Sequence, residues 1–275
     1  MIENQKPSIL LTLISFASAL LILFPIIWLV FSSFKPSNEL FGYPLTLLPK
    51  NPTLDHYFKV INDGFFTYVG NSFILAIVGT AITLAISSMC GYALAVYRRE
   101  VKYTNLIFAV FLLGTLIPGE TMVVSQFTVI SALGLYNNIW GVILPVVTTT
   151  TGIFMYRQFY LSTPDSFIEA ARMDGASEFY IFLKIMFPLS KATTITLTLF
   201  SFMWRWNDYI LPLIVLTRQN KFTIQIAIRN YIGFNGVDWN SILAASVLSI
   251  IPITLLFMVL QKYVVGADVS SGDKY

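Results

Sequence analysis

The strongest constraint on how this chain can fold is the length of its uncharged apolar runs. Residues Ile9–Phe34 and Val69–Tyr97 contain no charged side chain, and each run exceeds the ~20 residues with which a helix crosses a bilayer. Only 11% of all residues are charged, whereas a typical soluble domain has about 25%. The sequence therefore predicts an integral membrane protein and excludes both a soluble globule and a disordered chain.

Further runs of this kind predict six membrane-spanning helices in one all-α domain over residues 1–275. The first run exceeds the roughly 7–15 apolar residues of a signal peptide, so we interpret it as a retained helix. The third is interrupted by Pro118-Gly119-Glu120, which predicts a kink. The predicted spans are residues 9–31, 69–97, 106–130, 139–156, 192–216 and 239–260.

The placement of lysine and arginine predicts the orientation of these spans, because cytoplasmic connections are enriched in both residues. The short connection after the second span contains Arg98, Arg99 and Lys102. The long connection over residues 157–191 contains further basic residues. We therefore expect both connections, and with them both chain termini, to lie in the cytoplasm.

The scarcity of reactive side chains excludes several classes of function. Cys90 and His56 are the only cysteine and histidine of the chain, which rules out disulfide frameworks, Cys/His zinc sites and haem attachment. A nucleophile–base pair would have to use His56, which lies in a polar connection and is better explained as a solvated side chain. The net charge of +3 fits cytoplasmic anchoring of a membrane protein better than nucleic-acid binding.

The connection over residues 157–191 predicts two short amphipathic helices. Thr163 can cap the first helix and Pro164 suits its first position. The glycine of Asp174-Gly175 permits the positive φ of a tight turn.

Ser177 can cap the second of these helices, which is predicted over Glu178–Phe187 and ends before Pro188. The apolar faces of such a hairpin must be covered. The cover is either the rest of this chain, the bilayer surface, or the groove of a partner protein.

The same connection contains a recognisable motif. Glu169-Ala170-Ala171, Gly175 and, further on, Phe187-Pro188-Leu189 resemble the EAA loop of bacterial ABC importer permeases. Lys191-Ala192 and the tail Gly266–Ser270 depart from the family pattern, and the tail leaves a glycerol-phosphate importer permease open as an alternative. The flanks resemble the carbohydrate importer permeases of the maltose-transporter type at Tyr57–Val60, Gly70–Phe73, Ile117–Glu120, Leu133–Leu135, Phe154–Phe159 with Thr163-Pro164, and Trp206-Asn207 with Pro212-Leu213.

This resemblance implies a type I ABC importer permease-like fold, in which the hairpin is a coupling helix that docks on an ATPase subunit. It implies four kinds of partner in the bacterial cytoplasmic membrane: a second homologous permease subunit, two ATPase subunits, an extracytoplasmic substrate-binding protein, and lipid. ATP and Mg²⁺ would be bound by the ATPases, and this chain, which has no phosphate-binding G-x-x-x-x-G-K-[ST] motif, would be neither catalytic nor cofactor-binding. The coupling residues implied are Phe167, Glu169, Ala170, Ala171, Asp174, Gly175, Ala176 and Ser177.

Charged residues inside the predicted spans are candidates for a translocation path. Arg205 and Asp208 lie three residues apart and can pair on one helix face. A charge at mid-bilayer costs at least ~2.5 kcal/mol on insertion scales, so both should face the protein interior, either as a structural ion pair or along the path. Trp204, Asn207 and Glu120 are further candidates, although tryptophan also anchors helices at membrane interfaces.

A ridge of small residues recurs every fourth position along the second span, at Gly79, Thr83, Ser87 and Gly91. Such ridges permit close helix approach, here within the subunit or against a second permease.

Two rival functions remain for a polytopic membrane protein of this kind. A secondary carrier would distribute ionisable residues over several spans and contain internal repeats, which this sequence does not show. A membrane enzyme would need a convergent nucleophile–base or metal set.

Overall fold

The computed structural model describes residues 9–234 and 236–272, with side chains as far as Lys262. Short 3-10 turns occur at Tyr97–Arg99, Gly119–Met122, Leu144–Val146 and Gln219–Lys221, and a π-helical segment at Ile181–Met186. The α-helices, in chain order, are α1 (Ile9–Ser32), α2 (Ser37–Leu40), α3 (Asp55–Asn62), α4 (Phe65–Val96), α5 (Thr104–Gly114), α6 (Val123–Ala132), α7 (Ile139–Ile143), α8 (Thr150–Ser162), α9 (Ser166–Met173), α10 (Glu178–Tyr180), α11 (Phe187–Leu189), α12 (Lys191–Asn207), α13 (Ile210–Val215), α14 (Ile224–Asn230) and α15 (Trp239–Gly272). One antiparallel pair, β1 (Ile232–Gly233) and β2 (Gly236–Val237), precedes α15.

Three helices of the described chain, α1, α4 and α15, are each long and apolar enough to cross a membrane. Three further pairs of helices pass the same criterion only when each pair is counted as one bent span. The described residues therefore offer three straight spans and up to six in total. The helical fold class is confirmed, whereas the count of six rests on how the bent pairs are interpreted. Lys6 and Lys274, two further basic residues on the predicted cytoplasmic side, lie outside the described residues.

The region predicted as a kinked third span is broken rather than kinked. α5 ends at Gly114, the chain is not helical again until Gly119, and the two halves meet at 89°. Pro118 has an extended backbone with ψ of 131°. Proline lacks a backbone N–H and disfavours the helical conformation in the preceding residue, which favours a break of the helix at this point.

The region predicted as an uninterrupted fifth span is also divided. α12 ends at Asn207, because Asp208 adopts an extended conformation with ψ of 127°. α13 then begins a separate short helix at Ile210. At its other end, α12 follows the segment Glu178–Leu189 through a bend of 76°.

The chain divides into two compact units. The first comprises the chain up to Phe65 together with Ile228–Ile251. Within it, Lys35 is buried and donates to the carbonyl oxygen of Thr46, while the Lys35 carbonyl accepts a hydrogen bond of 2.7 Å from Asn240. An ion pair of 2.6 Å joins Lys59 to Asp238 and ties α3 to the start of α15.

The second unit, which includes Phe66–Ala227, contains two large apolar clusters beside a smaller one of Leu94, Phe108 and Ile153. The first cluster joins α4, α8, α9, the segment Ile181–Met186 and α12 through Tyr92, Ala95, Tyr156, Tyr160, Ile168, Ala171, Ile181, Phe182, Met186 and Leu197. The second cluster joins α4, α6, α7, α13 and α14 through Leu75, Ile130, Val142, Ile143, Val147, Leu211, Val215, Leu216 and Ile226.

The small-residue ridge of α4 packs within the subunit, as the first of its two interpretations predicted. A Cβ on Gly91 would lie 2.6 Å from the Tyr156 Cβ of α8. The Thr83 hydroxyl donates to the carbonyl of Val147 at 2.7 Å. Ser87 is fully buried and lies against Gly152 of α8. The small side chains therefore let α8 approach α4 closely, and this face of α4 is occupied by the same chain.

Candidate functional site

The hairpin, which is formed by α9 and the helical segment Glu178–Leu189, contains the predicted turn. Gly175 has φ of +79°, a conformation that favours glycine. The Ser177 hydroxyl accepts a hydrogen bond of 3.3 Å from the N–H of Tyr180 and so caps the second helix as predicted.

Two details of the predicted hairpin are wrong. Thr163 does not cap α9, because its hydroxyl donates back to the Phe159 carbonyl at 3.1 Å and α9 begins only at Ser166. The second helix does not end before Pro188 but continues to Leu189 through the π-helical segment Ile181–Met186. Pro188 lies in the first turn of α11, where a proline is tolerated because its missing N–H does not remove a bond within that helix.

The two faces of α9 have different environments. Ile168 and Ala171 are 6% and 7% exposed and pack into the first apolar cluster. Phe167 is 49% exposed and Met173 is 88% exposed. Of the predicted coupling residues, Ala171 is therefore covered by its own chain and Ala176 is partly buried, while an outward surface remains at Phe167, Glu169, Ala170, Asp174, Gly175 and Ser177.

An aromatic floor supports this hairpin from the membrane-helix side. The Tyr92 ring of α4 contacts the rings of Tyr160 and Phe182 at centroid distances of 5.6 and 5.2 Å. It also meets Tyr97 edge to face at 6.3 Å. Aromatic pairs at these distances add to the apolar burial, so the hairpin is held on α4 and α8.

A polar clamp, which we define as Tyr97, Glu100, Arg172 and Glu178, holds the hairpin from its side. The Tyr97 hydroxyl donates to Glu178 Oε2 at 2.8 Å, and Arg172 Nε donates to Glu178 Oε1 at 2.7 Å. Arg172 also lies 3.9 Å from Glu100. The hydrogen bond from Arg172 is the main cause that lowers the pKa of the Glu178 carboxyl, and it raises the pKa of Arg172.

A second ionic contact lies at the start of the hairpin. The Asp165 carboxylate is 3.4 Å from both Arg98 and Arg99, the basic residues that follow α4. The residues of these contacts were not predicted as functional. The charges of Arg98, Arg99 and Glu100 directly after an apolar helix could have indicated an ionic contact here. The Arg172–Glu178 pair could not be predicted in this way, because it spans a turn and has no helical spacing.

All five residues predicted for a translocation path line one cavity of approximately 890 Å³. The cavity lies between the break that follows α5, at Gly119 and Glu120, and the C-terminal end of α12. Trp204 is 47% exposed and Arg205 is 5% exposed. The lining residues are Gly119, Glu120, Val146, Thr149, Thr151, Trp204, Arg205, Asn207, Asp208, Tyr209 and Ile210.

Arg205 does not form the predicted ion pair with Asp208, since no salt bridge joins them within the described part of the chain. Its guanidinium donates to Thr83 at 2.6 Å, to the Val146 carbonyl at 2.7 Å, and to Ser201. The break of α12 after Asn207 turns the Asp208 carboxylate towards the backbone N–H groups of Ile210 and Leu211 instead. Arg205 thus bonds three segments of the second unit through neutral acceptors.

The described residues contain no group of three or more His, Cys, Asp or Glu side chains that could hold a metal ion. The described part of the chain thus offers two separate candidate sites, a polar cavity and a surface hairpin.

Comparison with known proteins establishes the family. Residues 87–266 match the family model described as the binding-protein-dependent transport system inner membrane component. The chain belongs to this family. It is a multi-pass membrane protein and a permease subunit of an ABC importer, not an enzyme in its own right.

Curated relatives and solved structures agree with this assignment. The chain is 36% identical to the arabinooligosaccharides transport system permease protein AraQ of Bacillus subtilis (strain 168), over 97% of this chain and 95% of that protein. It is 30% identical to the sn-glycerol-3-phosphate transport system permease protein UgpE of Escherichia coli O1:K1 / APEC, over 98% and 99%. A chain in the crystal structure of a bacterial ABC transporter that imports the acidic polysaccharide alginate matches with a TM-score of 0.81 and 25% identity, over 93% of this chain and 95% of that chain.

Proposed function

We propose that this chain is one of two permease subunits that together form the translocation path of an ABC importer for mono- or oligosaccharides. The observation that carries this substrate class is the 36% identity, along almost the whole chain, to a permease for arabinooligosaccharides. A glycerol-phosphate importer permease is the second candidate, because UgpE is 30% identical over an equally long alignment.

The charges that line the cavity favour an uncharged sugar over an anionic glycerol phosphate as the substrate. Glu120 and Asp208 contribute carboxylates to its lining, and these repel an anion. The one basic lining residue, Arg205, already donates to Thr83, Val146 and Ser201. Hydroxyl groups of a sugar can donate to such carboxylates, and the exposed ring of Trp204 offers an apolar face for a sugar ring.

The outward face of the hairpin supports docking of an ATPase subunit. Phe167 and Met173 present apolar surface, and Glu169 and Asp174 present carboxylates that can accept charge-assisted hydrogen bonds. We propose that this face lies in the cytoplasm, as do both chain termini, and that the corresponding hairpin of the second permease binds a second ATPase. ATP and Mg²⁺ would be bound by those ATPases.

The remaining proposed partners are a substrate-binding protein on the extracytoplasmic side and the bilayer itself. α1 supports lipid contact, because its apolar side chains are exposed along most of its length, including Leu10 at 68% and Leu21 at 76%. ATP-driven movement of the hairpins would alternate access to the cavity between the two sides.

Affinity purification from the native membrane, followed by identification of the co-eluting chains, tests this assembly. We expect a second permease and an ATPase subunit to be recovered with this chain. Recovery without any ATPase would contradict the proposal. Uptake of labelled arabinooligosaccharide and of sn-glycerol 3-phosphate by cells with and without the gene then separates the two substrate candidates.

Two single variants, Gly175→Val and Glu169→Lys, test the docking role of the hairpin. Valine is strained at a φ of +79°, and lysine reverses an outward charge. We expect both variants to lose ATPase recovery and uptake. Gly134→Val is the matched control, because Gly134 also has a positive φ of +69° and open space around it but lies in another turn. Retained coupling in both hairpin variants would show that the hairpin is not the docking site.

A further inference from the structure

The Glu178 carboxylate connects three separate elements of the protein. Glu178 itself begins the second helix of the hairpin. One of its oxygens accepts from Arg172 of α9 at 2.7 Å, and the other accepts from Tyr97 after α4 at 2.8 Å. Hydrogen bonds with an ionised partner are stronger than neutral ones, and using both oxygens fixes the orientation of the carboxylate as well as its position.

Tyr97 connects this carboxylate to the interior of the protein. The 3-10 turn Tyr97–Arg99 follows α4 without interruption. Further along α4, the Thr83 hydroxyl accepts the 2.6 Å hydrogen bond of Arg205, which lines the cavity. A helix moves largely as a unit, so a displacement at Tyr97 is carried along α4 towards the cavity.

The aromatic floor and the clamp constrain the hairpin differently. Contacts of Tyr92 with Tyr160 and Phe182 are ring contacts, and such contacts tolerate centroid distances over a range of about 4.5–7 Å. The hydrogen bonds to Glu178 depend on distance and angle. The clamp is therefore the contact that fixes the position of the hairpin relative to the end of α4.

We propose that Tyr97 and Glu178 are positioning residues through which displacement of the hairpin is transmitted to α4 and the cavity. This inference rests on the proposed function of the hairpin as the ATPase docking site. Neither residue contacts the ATPase in this scheme. They act after docking, by making α4 follow the hairpin.

The other ionic contact of the hairpin is less suited to this role. Asp165 lies 3.4 Å from Arg98 and Arg99, and the Arg99 side chain is 78% exposed. Long, solvent-exposed pairs contribute little. The shorter bonds of Glu178 are consequently the ones expected to limit transmission.

Transport and ATP hydrolysis by the complete complex in proteoliposomes test the proposal. Tyr97→Phe, Glu178→Gln and the double variant are compared with the wild type. We expect ATPase subunits to co-purify in normal amounts and the number of substrate molecules transported per ATP hydrolysed to fall roughly three- to tenfold, as for loss of one hydrogen bond. Because Tyr97 and Glu178 share one hydrogen bond and Glu178 also accepts from Arg172, the double variant should be no worse than Glu178→Gln alone.

The control is Tyr103→Phe, which removes a hydroxyl from the same connection, where Tyr103 is 60% exposed. We expect it to keep the wild-type ratio. If Glu178→Gln fails to fold, Tyr97→Phe tests the proposal on its own. This variant should fold, because it retains the ring that contacts Tyr92. A wild-type ratio of transport to hydrolysis overturns the proposal, whether both rates are unchanged or both fall by the same factor. Loss of ATPase from the wild-type complex would instead overturn the proposed function.

Discussion

The hairpin and the cavity hold their charged groups in opposite ways. At the hairpin, Arg172 is paired with Glu178 and Asp165 with Arg98, and all four side chains are partly exposed. At the cavity, Arg205 is 5% exposed and bonds only neutral groups. Exposed ion pairs are weak and easily exchanged, whereas a buried cation that loses its acceptors is strongly disfavoured.

This difference separates a region held by partly exposed ion pairs from a region held by buried hydrogen bonds. The pairs of the hairpin are partly exposed to water, so their loss costs little free energy of folding. The bonds of Arg205 join α12 to α4 and to Val146 and must be preserved together. We therefore expect substitutions at Arg205 to affect folding and substitutions in the clamp to affect coupling.

The largest effect is expected for Arg205→Met, which keeps a long side chain but removes every donor. The Val146 carbonyl and the Thr83 and Ser201 hydroxyls then lose a partner. Thr83 keeps its bond to Val147, and each of the other two groups costs about 1–3 kcal/mol when left without a partner, so we expect at least ~2 kcal/mol of destabilisation. Thermal unfolding in detergent measures this, with the exposed Arg218→Met as control. A stable, fully assembled Arg205→Met variant would show that these bonds do not secure the fold.

A smaller effect is expected for Gly91→Ala in the ridge of α4. The new Cβ would lie 2.6 Å from the Tyr156 Cβ and 2.9 Å from the Arg157 backbone nitrogen. Overpacking of this kind costs about 1–3 kcal/mol, seen as a lower unfolding temperature. Gly70→Ala on the same helix is the control, because no atom lies within 4 Å of its new Cβ. Equal stability of the two variants would place the close approach of α8 in doubt.

The smallest effect is expected from the pH dependence of the clamp. The hydrogen bond from Arg172 lowers the pKa of Glu178, so the clamp stabilises the folded chain above the unfolded pKa of about 4.3. That contribution is lost as the pH falls through the lower folded value. The difference in unfolding temperature between wild type and Glu178→Gln should be constant near neutral pH and shrink below about pH 4.3. A difference that persists unchanged in acid would mean that the charge of Glu178 is not involved.

The sequence predicts the helical class and the hairpin turn because their signals are local. Uncharged runs identify α1, α4 and α15. Gly175 marks the turn because the turn needs a positive φ, which glycine adopts readily. The breaks at Pro118 and Asp208 are harder to predict. Their signals are also local, but how far a helix is deflected there depends on packing against other segments.

The partners of single polar side chains were the least predictable part of the site. Arg205 and Asp208 have the spacing of a helical ion pair, yet the helix ends between them and Arg205 bonds Thr83, far away in sequence. Ala171 belongs to the recognised motif but faces inward, because the motif alone does not reveal which side of α9 its own chain covers. By contrast, the five residues proposed for the path do line one cavity.

Site-directed crosslinking tests the central claim, that the outward face of the hairpin meets the ATPase. Cys90 is the only cysteine, so Cys90→Ala provides a background for single cysteines at Met173, which is 88% exposed, and at Tyr43, which is 99% exposed. With a short thiol-to-amine reagent in native membranes, Met173→Cys should crosslink to the ATPase subunit and Tyr43→Cys should not. Absence of an ATPase crosslink at Met173→Cys, or equal crosslinking at both positions, would contradict this account.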